Sequence, residues 1–457
     1  MSSNDAVVAG GFARASSAGR GRTSSAPARF GALALGFAIA LAGCGFVNTD
    51  DGGGGGGGEG GPGKGAGGAK VTAYVNTEQN TGLAKLIAAY QRSSGTTVDI
   101  SSAETSELNE QLRIQLTSGT AADLLRVSPG YSSPVAAGVL GSAELADLSD
   151  ASWVDAIPDD TAALATVDGR TLAFPVSRNA IIMAYNKKVF ADADVEVPTT
   201  WSELLAACDK LEAAGVTPIS TPLQDGIYLQ FWMYALAATL VYAENPDLDE
   251  QMAAGTVDFV DNKPWNDVYA KFLSLRDAGY FSDGSLGIPF DQGMQSVATG
   301  ESAMILMVSG GLPQLYGYAE NGAEDFEVFA LPATDNAADT HLPLAPDFMA
   351  VNAASDNVDA AKDFLEFLAK PENVETYATT LGVLPGLDVE VDLGETALQP
   401  VLPLIDEGRT APFANYLWPN GDTQQTLLQS GQELFDGKIT TKELLTQMDA
   451  DYDKGTP

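Results

Sequence analysis

The sequence is poor in the residue types that most often perform catalysis or bind metals. It contains one histidine, His341, and two cysteines, Cys44 and Cys208, in 457 residues. A Ser-His-Asp or Cys-His catalytic arrangement would therefore depend on His341 alone. The HExxH, CxxC and EF-hand spacings are also missing from the sequence. We accordingly predict no catalytic residue, no metal-binding residue and no cofactor.

Basic residues are scarce as well. The chain has 24 Lys and Arg against 61 Asp and Glu, which gives a formal net charge of −37. Such a field repels the phosphates of nucleic acids and anionic lipid headgroups, and it argues against both as direct ligands. A well-solvated surface is the ordinary explanation of this acidity. The length exceeds what one hydrophobic core usually serves, so two domains are expected.

The N-terminal region has the features of a secretion signal. Four arginines precede the apolar segment 30–43, which is too short for a comfortable membrane span. This segment ends in Leu-Ala-Gly before Cys44 and resembles the bacterial lipobox, in which the cysteine is lipidated and becomes the first mature residue. An ordinary signal peptide with an accidental cysteine is the alternative. We predict a signal peptide over 1–43 and a lipidated, disordered Gly-rich tether over 44–70.

Strand-like runs alternate with helical patterns through short loops over residues 71–138. Such alternation predicts a parallel sheet covered by helices on both faces. Ligands bind at the C-terminal ends of the strands in sheets of this kind, here in the loops 76–80 and 128–131. The apolar segment 227–242 is interrupted by a glutamine and is predicted to be a core helix. Cys208 falls on the apolar face of another helix, which favours a buried, inert thiol.

The segment 171–190, TLAFPVSRNAIIMAYNKKVF, consists of two apolar runs separated by a polar triplet. A buried helix pair would fit the two apolar runs nearly as well as two strands. The strand–helix order on either side favours a strand that leaves one core and enters another. The polar residue Asn179 would then lie at the mouth of a cleft. Its neighbour Arg178 could contact a ligand or form a salt bridge between lobes.

Polar and aromatic residues at predicted strand ends are the chemistry that binds sugars, because planar hydrogen-bonding groups and aromatic faces complement hydroxyls and C–H surfaces. For any single aromatic residue, burial in a core is the competing interpretation. The candidates from this argument are Asn76, Glu78, Asn179, Asp225, Tyr228, Trp232 and Trp418. We predict that Asn179→Ala and Trp232→Ala each weaken binding without unfolding the protein.

Residues from about 71 to 440 resemble the extracellular solute-binding proteins of ABC importers, of the carbohydrate-binding kind that includes maltose-binding protein. The matching stretches follow the family's order and spacing. They are FPVSRNAIIMAYNKKVF (174–190), PTTWSELLAACDKL (198–211), GESAMILMVSGG (300–311), FALPATD (329–335), MAVNAASDNVDAAKDFLEFLAKPENVETY (349–377) and GVLPGL (382–387).

The resemblance implies an α/β, two-lobed periplasmic-binding-protein-like fold, in which each lobe is a mainly parallel sheet flanked by helices and crossover strands form the hinge. The expected division is 71–178 and 308–353 for lobe 1, and 179–307 and 354–457 for lobe 2. Carried over position by position, the expected ligand-binding residues are Asn76, Glu78, Gln79, Ser128, Tyr131, Arg178, Asn179, Asp225, Tyr228, Trp232 and Trp418.

The sequence departs from the family pattern at two places. Leu312 stands where an aromatic residue usually follows the Gly turn, and the loop SPGY (128–131) lacks the usual acidic residue. Phe413, Tyr416 and Trp418 near the C-terminus are possible replacement platforms for a sugar.

The resemblance also implies a function. The expected protein is lipid-anchored at the outer face of the cell membrane, monomeric, and captures a mono- or oligosaccharide by hinge closure for delivery to an ABC permease. Nucleic acid is not an expected partner. Two alternatives remain open at this stage, namely a secreted glycoside hydrolase that uses an acidic pair and a ligand sensor that docks on a membrane receptor.

Overall fold

The computed structural model describes residues 69–394 and 396–455, without the side chain of Ser106. The predicted signal peptide, Cys44 and nearly all of the tether lie outside the described residues. The first strand begins at Lys70, which the sequence-based prediction assigned to the tether. Within the described ranges, no helix combines the length and the apolar character that crossing a membrane requires.

Strands and helices alternate along the described chain, with short 3₁₀ turns between them. The strands are β1 (Lys70–Asn76), β2 (Thr97–Ala103), β3 (Leu124–Val127), β4 (Thr166–Val167), β5 (Arg170–Thr171), β6 (Phe174–Asn186), β7 (Thr217–Ser220), β8 (Ser302–Val308), β9 (Phe326–Phe329), β10 (Leu342–Val351), β11 (Leu384–Pro385) and β12 (Thr410–Pro412). The helices are α1 (Thr77–Ser94), α2 (Thr105–Ser118), α3 (Ala137–Glu144), α4 (Asp159–Ala165), α5 (Lys187–Asp192), α6 (Trp201–Ala213), α7 (Leu229–Ala237), α8 (Leu248–Ala253), α9 (Lys263–Asp277), α10 (Phe290–Thr299), α11 (Leu312–Gly317), α12 (Val358–Leu368), α13 (Pro371–Leu381), α14 (Leu402–Asp406), α15 (Asp422–Phe435) and α16 (Thr441–Tyr452).

Helix α1 begins earlier than the sequence pattern predicts. The polar run after β1 was expected to be a loop over 76–80, but it forms the first turn of the helix. The side chain of Asn76 accepts a hydrogen bond from the backbone N–H of Gln79 at 2.9 Å and caps the helix. The polar residues after β1 therefore form the start of α1, and Glu78 lies in its first turn.

The main sheet follows the order β2-β1-β3-β10-β6-β8-β7, with β9, β11 and β12 paired beside this path. The strands β1, β2 and β3 pair in parallel, as do β7 and β8. The pairs of β6 with β10 and β8, and of β10 with β3, are antiparallel. The two-lobed α/β fold is therefore confirmed, with parallel pairing inside the lobes and antiparallel pairing at the strands that join them.

Strand β6 is the crossover that the segment 171–190 predicts. Its first half, from Phe174 to Ala180, pairs with β10, and its second half, from Ile181 to Tyr185, pairs with β8. Strand β10 makes the return connection, because one end pairs with β3 and the other with β12. The pairing of β6 with β10 shifts register between Asp347 and Phe348, at the point where the chain passes between lobes.

Buried apolar side chains form cores on both sides of these crossovers. One core gathers side chains of β1, α1, α12 and α13, whereas another gathers side chains of α6, α7, α9, α15 and α16. The sequence-based division placed 354–457 entirely in lobe 2. The same division placed α11 in lobe 1, but its Leu312 and Leu315 share a core with Ile305 and Met307 of β8 in the second lobe. The structure also differs for α12 and α13, because Phe364 and Tyr377 are buried against α1 in the lobe-1 core. These helices return to the first lobe after β10 has crossed back.

Candidate functional site

A cavity of about 260 Å³ lies between the two lobes at the crossover strands. The first lobe contributes Glu78 from α1 and Tyr377 from α13, and the second contributes Gly310 from the turn after β8 and Gln314 from α11. The remaining lining residues include Ser177, Asn179 and Asp347 on the crossover strands β6 and β10. A groove of about 520 Å³ elsewhere is larger, but it is lined by the second lobe alone. Only a cavity that draws on both lobes can couple solute contact to their relative movement.

Asn179 is half-buried on the floor of this interlobe cavity. Its side-chain oxygen accepts a hydrogen bond from Ser309 Oγ at 3.5 Å, and Ser309 Oγ accepts one from the backbone N–H of Ala180 at 3.1 Å. A Cβ added at Gly310 would lie 2.7 Å from Asn179 Oδ1, so the glycine makes room for the amide. The amide nitrogen has no hydrogen-bond partner within the described chain, which leaves a donor for a solute.

An ion pair joins the two strands beneath the cavity. Arg126 Nε on β3 donates to Asp347 Oδ1 on β10 at 3.1 Å, and both side chains are mostly buried. Gln79 Nε2 donates to Asp347 Oδ2 at 2.9 Å. Gln79 was predicted to contact the ligand, but it is fully buried and acts by holding Asp347. The carboxylate of Asp347 therefore has charge-assisted partners on both oxygens.

Glu78 is a second carboxylate of the cavity, and it lacks such partners. Its side chain makes no hydrogen bond or ion pair to any described residue. Burial within the cleft raises the pKa of Glu78, and the negative charges of Asp347 and Glu104 raise it further, while Arg126 opposes them. The side chain is exposed to solvent and lines the cavity. Its carboxylate is thus placed to accept hydrogen bonds from a solute.

Two tyrosines lie near the ion pair of Arg126 and Asp347. Tyr377 lines the cavity, and its hydroxyl has no hydrogen-bond partner among the described residues. Tyr416 stacks on Phe413 with ring centroids 5.6 Å apart and an interplanar angle of 10°. Burial raises the pKa of Tyr416 to about 12, with Asp347 and Arg126 acting in opposite directions, which places the ring near the ion pair. Tyr416 was one of the replacement platforms that the sequence indicated.

Sequence reasoning missed Arg126, Asp347 and Tyr377. A signal for the first two was available, because each is the one charge in an otherwise apolar strand segment, LLRV (124–127) and APDFMAV (345–351). Charged residues are almost never buried unless they are paired. Tyr377 gave no such signal, since it continues the apolar face of α13 like a core residue.

The structure assigns structural roles to Asn76 and Arg178, which were predicted to bind the ligand. Asn76 is buried and its side-chain oxygen is used by the cap of α1. Arg178 is also buried, and its Nε donates to the carbonyl oxygen of Pro385 at 2.9 Å. Burial lowers the pKa of Arg178, while Asp160 and Asp388 oppose this shift. Successive side chains of a strand point to opposite faces, so Arg178 turns away from the face that presents Ser177 and Asn179.

The two tryptophans predicted for the site belong to the core of the second lobe. Trp232 is 2% exposed and packs against Phe272 and Phe281, with ring centroids 5.8 and 5.1 Å away. Trp418 is fully buried and meets Tyr234, Phe259 and Trp265. Helix α7 is buried on all sides, so no face of it is free to present Trp232 to a solute.

The four remaining predicted residues do not line the interlobe cavity. Ser128 is half-buried and bonds through its backbone to Val135 at 3.2 Å, and Tyr131 is 46% exposed. Asp225 is exposed, and its carboxylate accepts a hydrogen bond from the backbone N–H of Ile227 at 3.0 Å. Tyr228 stacks on Phe290 with ring centroids 3.9 Å apart. Of the predicted set, the structure brings Glu78 and Asn179 together in the cavity.

Leu312, the departure from the family pattern, is buried in the second-lobe core beside Leu315. It therefore offers no platform to a solute. Among the residues that the structure describes, no group of three or more His, Cys, Asp or Glu side chains is placed to hold a metal ion. The single described cysteine, Cys208, is buried, and burial raises the pKa of its thiol to about 12.

The fold and the sequence were compared with known proteins. The model of the bacterial extracellular solute-binding protein family matches residues 74–375. The sn-glycerol-3-phosphate-binding periplasmic protein of Brucella abortus is 29% identical over 161 residues, which are 34% of this chain and 36% of that protein. A probable sugar-binding periplasmic protein of Brucella suis is 25% identical over 205 residues, 44% of this chain and 46% of that protein. The chain thus matches less than half of the length of these curated relatives.

Solved structures match over a larger part of the chain. A chitin oligosaccharide binding protein superposes with a TM-score of 0.71 at 20% identity, covering 85% of this chain and 99% of that one. A family 1 extracellular solute-binding protein from Bifidobacterium longum subsp. infantis gives a TM-score of 0.69 at 22% identity, covering 85% and 100%. Because the family model also matches more than half of the sequence, the chain belongs to the bacterial extracellular solute-binding protein family.

Proposed function

We propose that this protein captures a carbohydrate between its two lobes and delivers it to an ABC permease. The observation that carries the proposal is the interlobe cavity, to which Glu78 of the first lobe, Gln314 of the second and Asn179 of the crossover contribute polar groups. Carboxylates, amides and tyrosine rings are the groups that bind sugar hydroxyls and C–H faces. The names of several matched proteins, which refer to chitin oligosaccharides, raffinose and sugars, support this choice of ligand class.

Capture would proceed by a shift between open and closed arrangements of the lobes. A solute that touches only one lobe has no reason to favour closure, whereas one that bridges Glu78 and Gln314 gains contacts in the closed state alone. The strands β6 and β10 would absorb the rotation, since each pairs with strands of both lobes. Asn179 lies at the middle of β6, where the pairing changes from β10 to β8, and would contact the solute throughout.

The family places the protein outside the cytoplasm. We propose that Cys44 carries the lipid that holds it at the outer face of the membrane and that residues 45–69 act as the spacer. A monomer would suffice for this role, because both halves of the cavity come from one chain. The acidity of the whole chain, at a formal −37, would keep the anchored protein away from anionic headgroups.

The proposal is tested by a thermal-shift screen of the purified protein against raffinose, stachyose, chitin oligosaccharides and other neutral sugars. A ligand that binds the folded state raises the melting temperature in a concentration-dependent way. Calorimetry on the best sugar should then give one binding event, with no product released from the sugar. A screen in which no sugar shifts the melting temperature contradicts the carbohydrate assignment, and release of product supports the glycoside hydrolase alternative instead.

A further inference from the structure

We propose that the interlobe cavity rejects negatively charged solutes and that Glu78 is the residue that enforces this selection. The inference rests on the proposed function, because it concerns which solutes the same cavity admits. It commits the cavity to uncharged, hydroxyl-rich ligands that donate hydrogen bonds. Phosphorylated and carboxylated solutes of similar size are the excluded class.

The charges around the cavity are unbalanced toward the negative side. Glu78 and Asp347 both line it, whereas no lysine, arginine or histidine does so among the described residues. Glu104 adds a third carboxylate close by, and its Oε1 accepts a hydrogen bond from the Thr77 hydroxyl at 3.0 Å. The nearest cation is Arg126, which lies in the strand beneath. An anion entering the cavity would meet more negative than positive charge.

Arg126 is already paired within the protein. Its Nε donates to Asp347 Oδ1 at 3.1 Å, and this mostly buried pair is completed by Gln79. Arg126 and Asp347 therefore neutralise each other, and Glu78 is left as the uncompensated charge. At the short distances of a bound solute, this unpaired carboxylate repels an anion.

The same arrangement suits a hydroxyl group. A carboxylate is a pure acceptor, so Glu78 can take hydrogen bonds from one or two sugar hydroxyls. The amide nitrogen of Asn179 offers the complementary donor, since it has no partner within the described chain. Recognition of a phosphate would need several donors or cations that converge on its oxygens, as arginine forks provide. The cavity presents no such set in its described lining.

This inference separates two groups of relatives that sequence similarity leaves together. The chain matches both a glycerol-3-phosphate-binding protein and probable sugar-binding proteins. Glycerol 3-phosphate carries nearly two negative charges at neutral pH. The cavity charge predicts that this solute is refused, although the relative that is named for it is 29% identical over the matched segment.

Glu78 can be tested without disturbing the ion pair. Replacing Asp347 would leave a mostly buried Arg126 unpaired and endanger folding. Glu78→Gln instead keeps the size of the side chain and removes its charge, and no described residue loses a partner. Glu110→Gln is the matched control, because Glu110 is an exposed residue on α2 in the same lobe and the change in net charge is identical.

The experiment measures the affinity of the full chain for sn-glycerol 3-phosphate by calorimetry at neutral pH, in the wild type, Glu78→Gln and Glu110→Gln. We expect the wild type and Glu110→Gln to bind it much more weakly than the best neutral sugar, and Glu78→Gln to bind it about tenfold more tightly than they do. Melting curves of the three proteins verify that all are folded.

Two results overturn the inference. One is wild-type binding of glycerol 3-phosphate as tight as that of the best neutral sugar, and the other is a Glu78→Gln variant that gains no affinity for it. Both leave the carbohydrate function standing if a neutral sugar binds. Conversely, a wild type that binds no sugar overturns the proposed function, while the comparison of the three proteins with glycerol 3-phosphate still decides the role of Glu78.

Discussion

The cleft and the core of the second lobe handle buried polar groups in opposite ways. In the cleft, Asp347 receives hydrogen bonds from Arg126 and Gln79. In the core of the second lobe, the buried carboxyl oxygens of Asp249 have no cation partner among the described residues, and their polar neighbour is the Tyr242 hydroxyl. A buried carboxylate that stays ionised needs a cation or hydrogen-bond donors beside it. A buried carboxyl without a cation is more stable in its protonated, neutral form. Of the two regions, the cleft is therefore the one that holds an ionised carboxylate.

The aromatic residues show the same division. The cleft tyrosines keep a polar edge near charged groups, as Tyr377 does beside Glu78 and Asp347. Trp232, Trp265 and Trp418 of the second lobe are packed against other rings.

The largest effect should come from removing an enclosed ring. We expect Trp232→Ala to lower the free energy of unfolding by about 3–5 kcal/mol, because it leaves a cavity between Phe272 and Phe281. Urea unfolding followed by fluorescence or circular dichroism measures this change. Tyr131→Ala is the control, since that ring is 46% exposed and its loss should cost far less. A fully stable Trp232→Ala with weakened sugar binding would restore the role in binding that the sequence suggested.

The cleft ion pair should give the next largest effect. We expect Arg126→Ala to destabilise the protein by about 3 kcal/mol, since it leaves the mostly buried Asp347 without its cation. The double variant Arg126→Ala with Asp347→Asn should be less destabilised than the sum of the single changes, as expected for coupled residues. Arg113→Ala, an exposed arginine of α2, serves as the control. Additive losses in the double variant would show that the two side chains are not energetically coupled.

The unpaired carboxyl of the second lobe should make stability depend on pH. Burial raises the pKa of Asp249 from 3.8 to about 7, and the neighbouring Tyr242 hydroxyl offsets part of the shift. The folded protein therefore binds a proton that the unfolded chain has released between about pH 4 and 7. The contribution of Asp249 to stability is then most favourable below this window and declines as the pH rises through it.

Asp249→Asn checks this sign. The variant should be more stable than the wild type at pH 8, by about 1–2 kcal/mol, because it buries no charge. The difference between the two proteins should shrink toward pH 4, where the carboxyl is protonated in the folded and, increasingly, in the unfolded state. Urea unfolding across this pH range provides the measurement. A difference that stays constant with pH would exclude Asp249 as the titrating group.

The crossover could be predicted from the sequence because the apolar run of β6 is interrupted close to the point where the strand changes partners. Pro175 and the triplet Ser177-Arg178-Asn179 mark that point in the printed sequence. The opposite orientations of Arg178 and Asn179 follow from the alternation of side chains along a strand, but the face that meets the cavity depends on pairing with β10. The sequence alone could therefore locate the crossover, but it could not tell which face of β6 meets the cavity.

Long-range packing explains the remaining errors. Asn76 and Gln79 are polar residues at a strand end. The local sequence does not reveal that Asn76 caps α1, or that Gln79 donates a hydrogen bond to Asp347, which is 268 positions away in the sequence. The return of α12 and α13 to the first lobe likewise depends on the course of β10. Lone charges in apolar strands were the one local clue to the ion pair, because such charges need partners.

The smallest effect should be that of the crossover amide on binding. We expect Asn179→Ala to weaken the affinity for the best neutral sugar by about tenfold, or about 1.4 kcal/mol, through the loss of one well-placed hydrogen bond. The melting temperature without sugar should hardly change, because within the described chain the amide has only the 3.5 Å hydrogen bond with Ser309 to lose. Gln111→Ala, an exposed amide of α2, controls for the loss of a polar side chain elsewhere in the first lobe. Unchanged affinity would place the sugar away from β6, and the contrast between a charge-presenting cleft and a protonated core would then no longer describe the binding site.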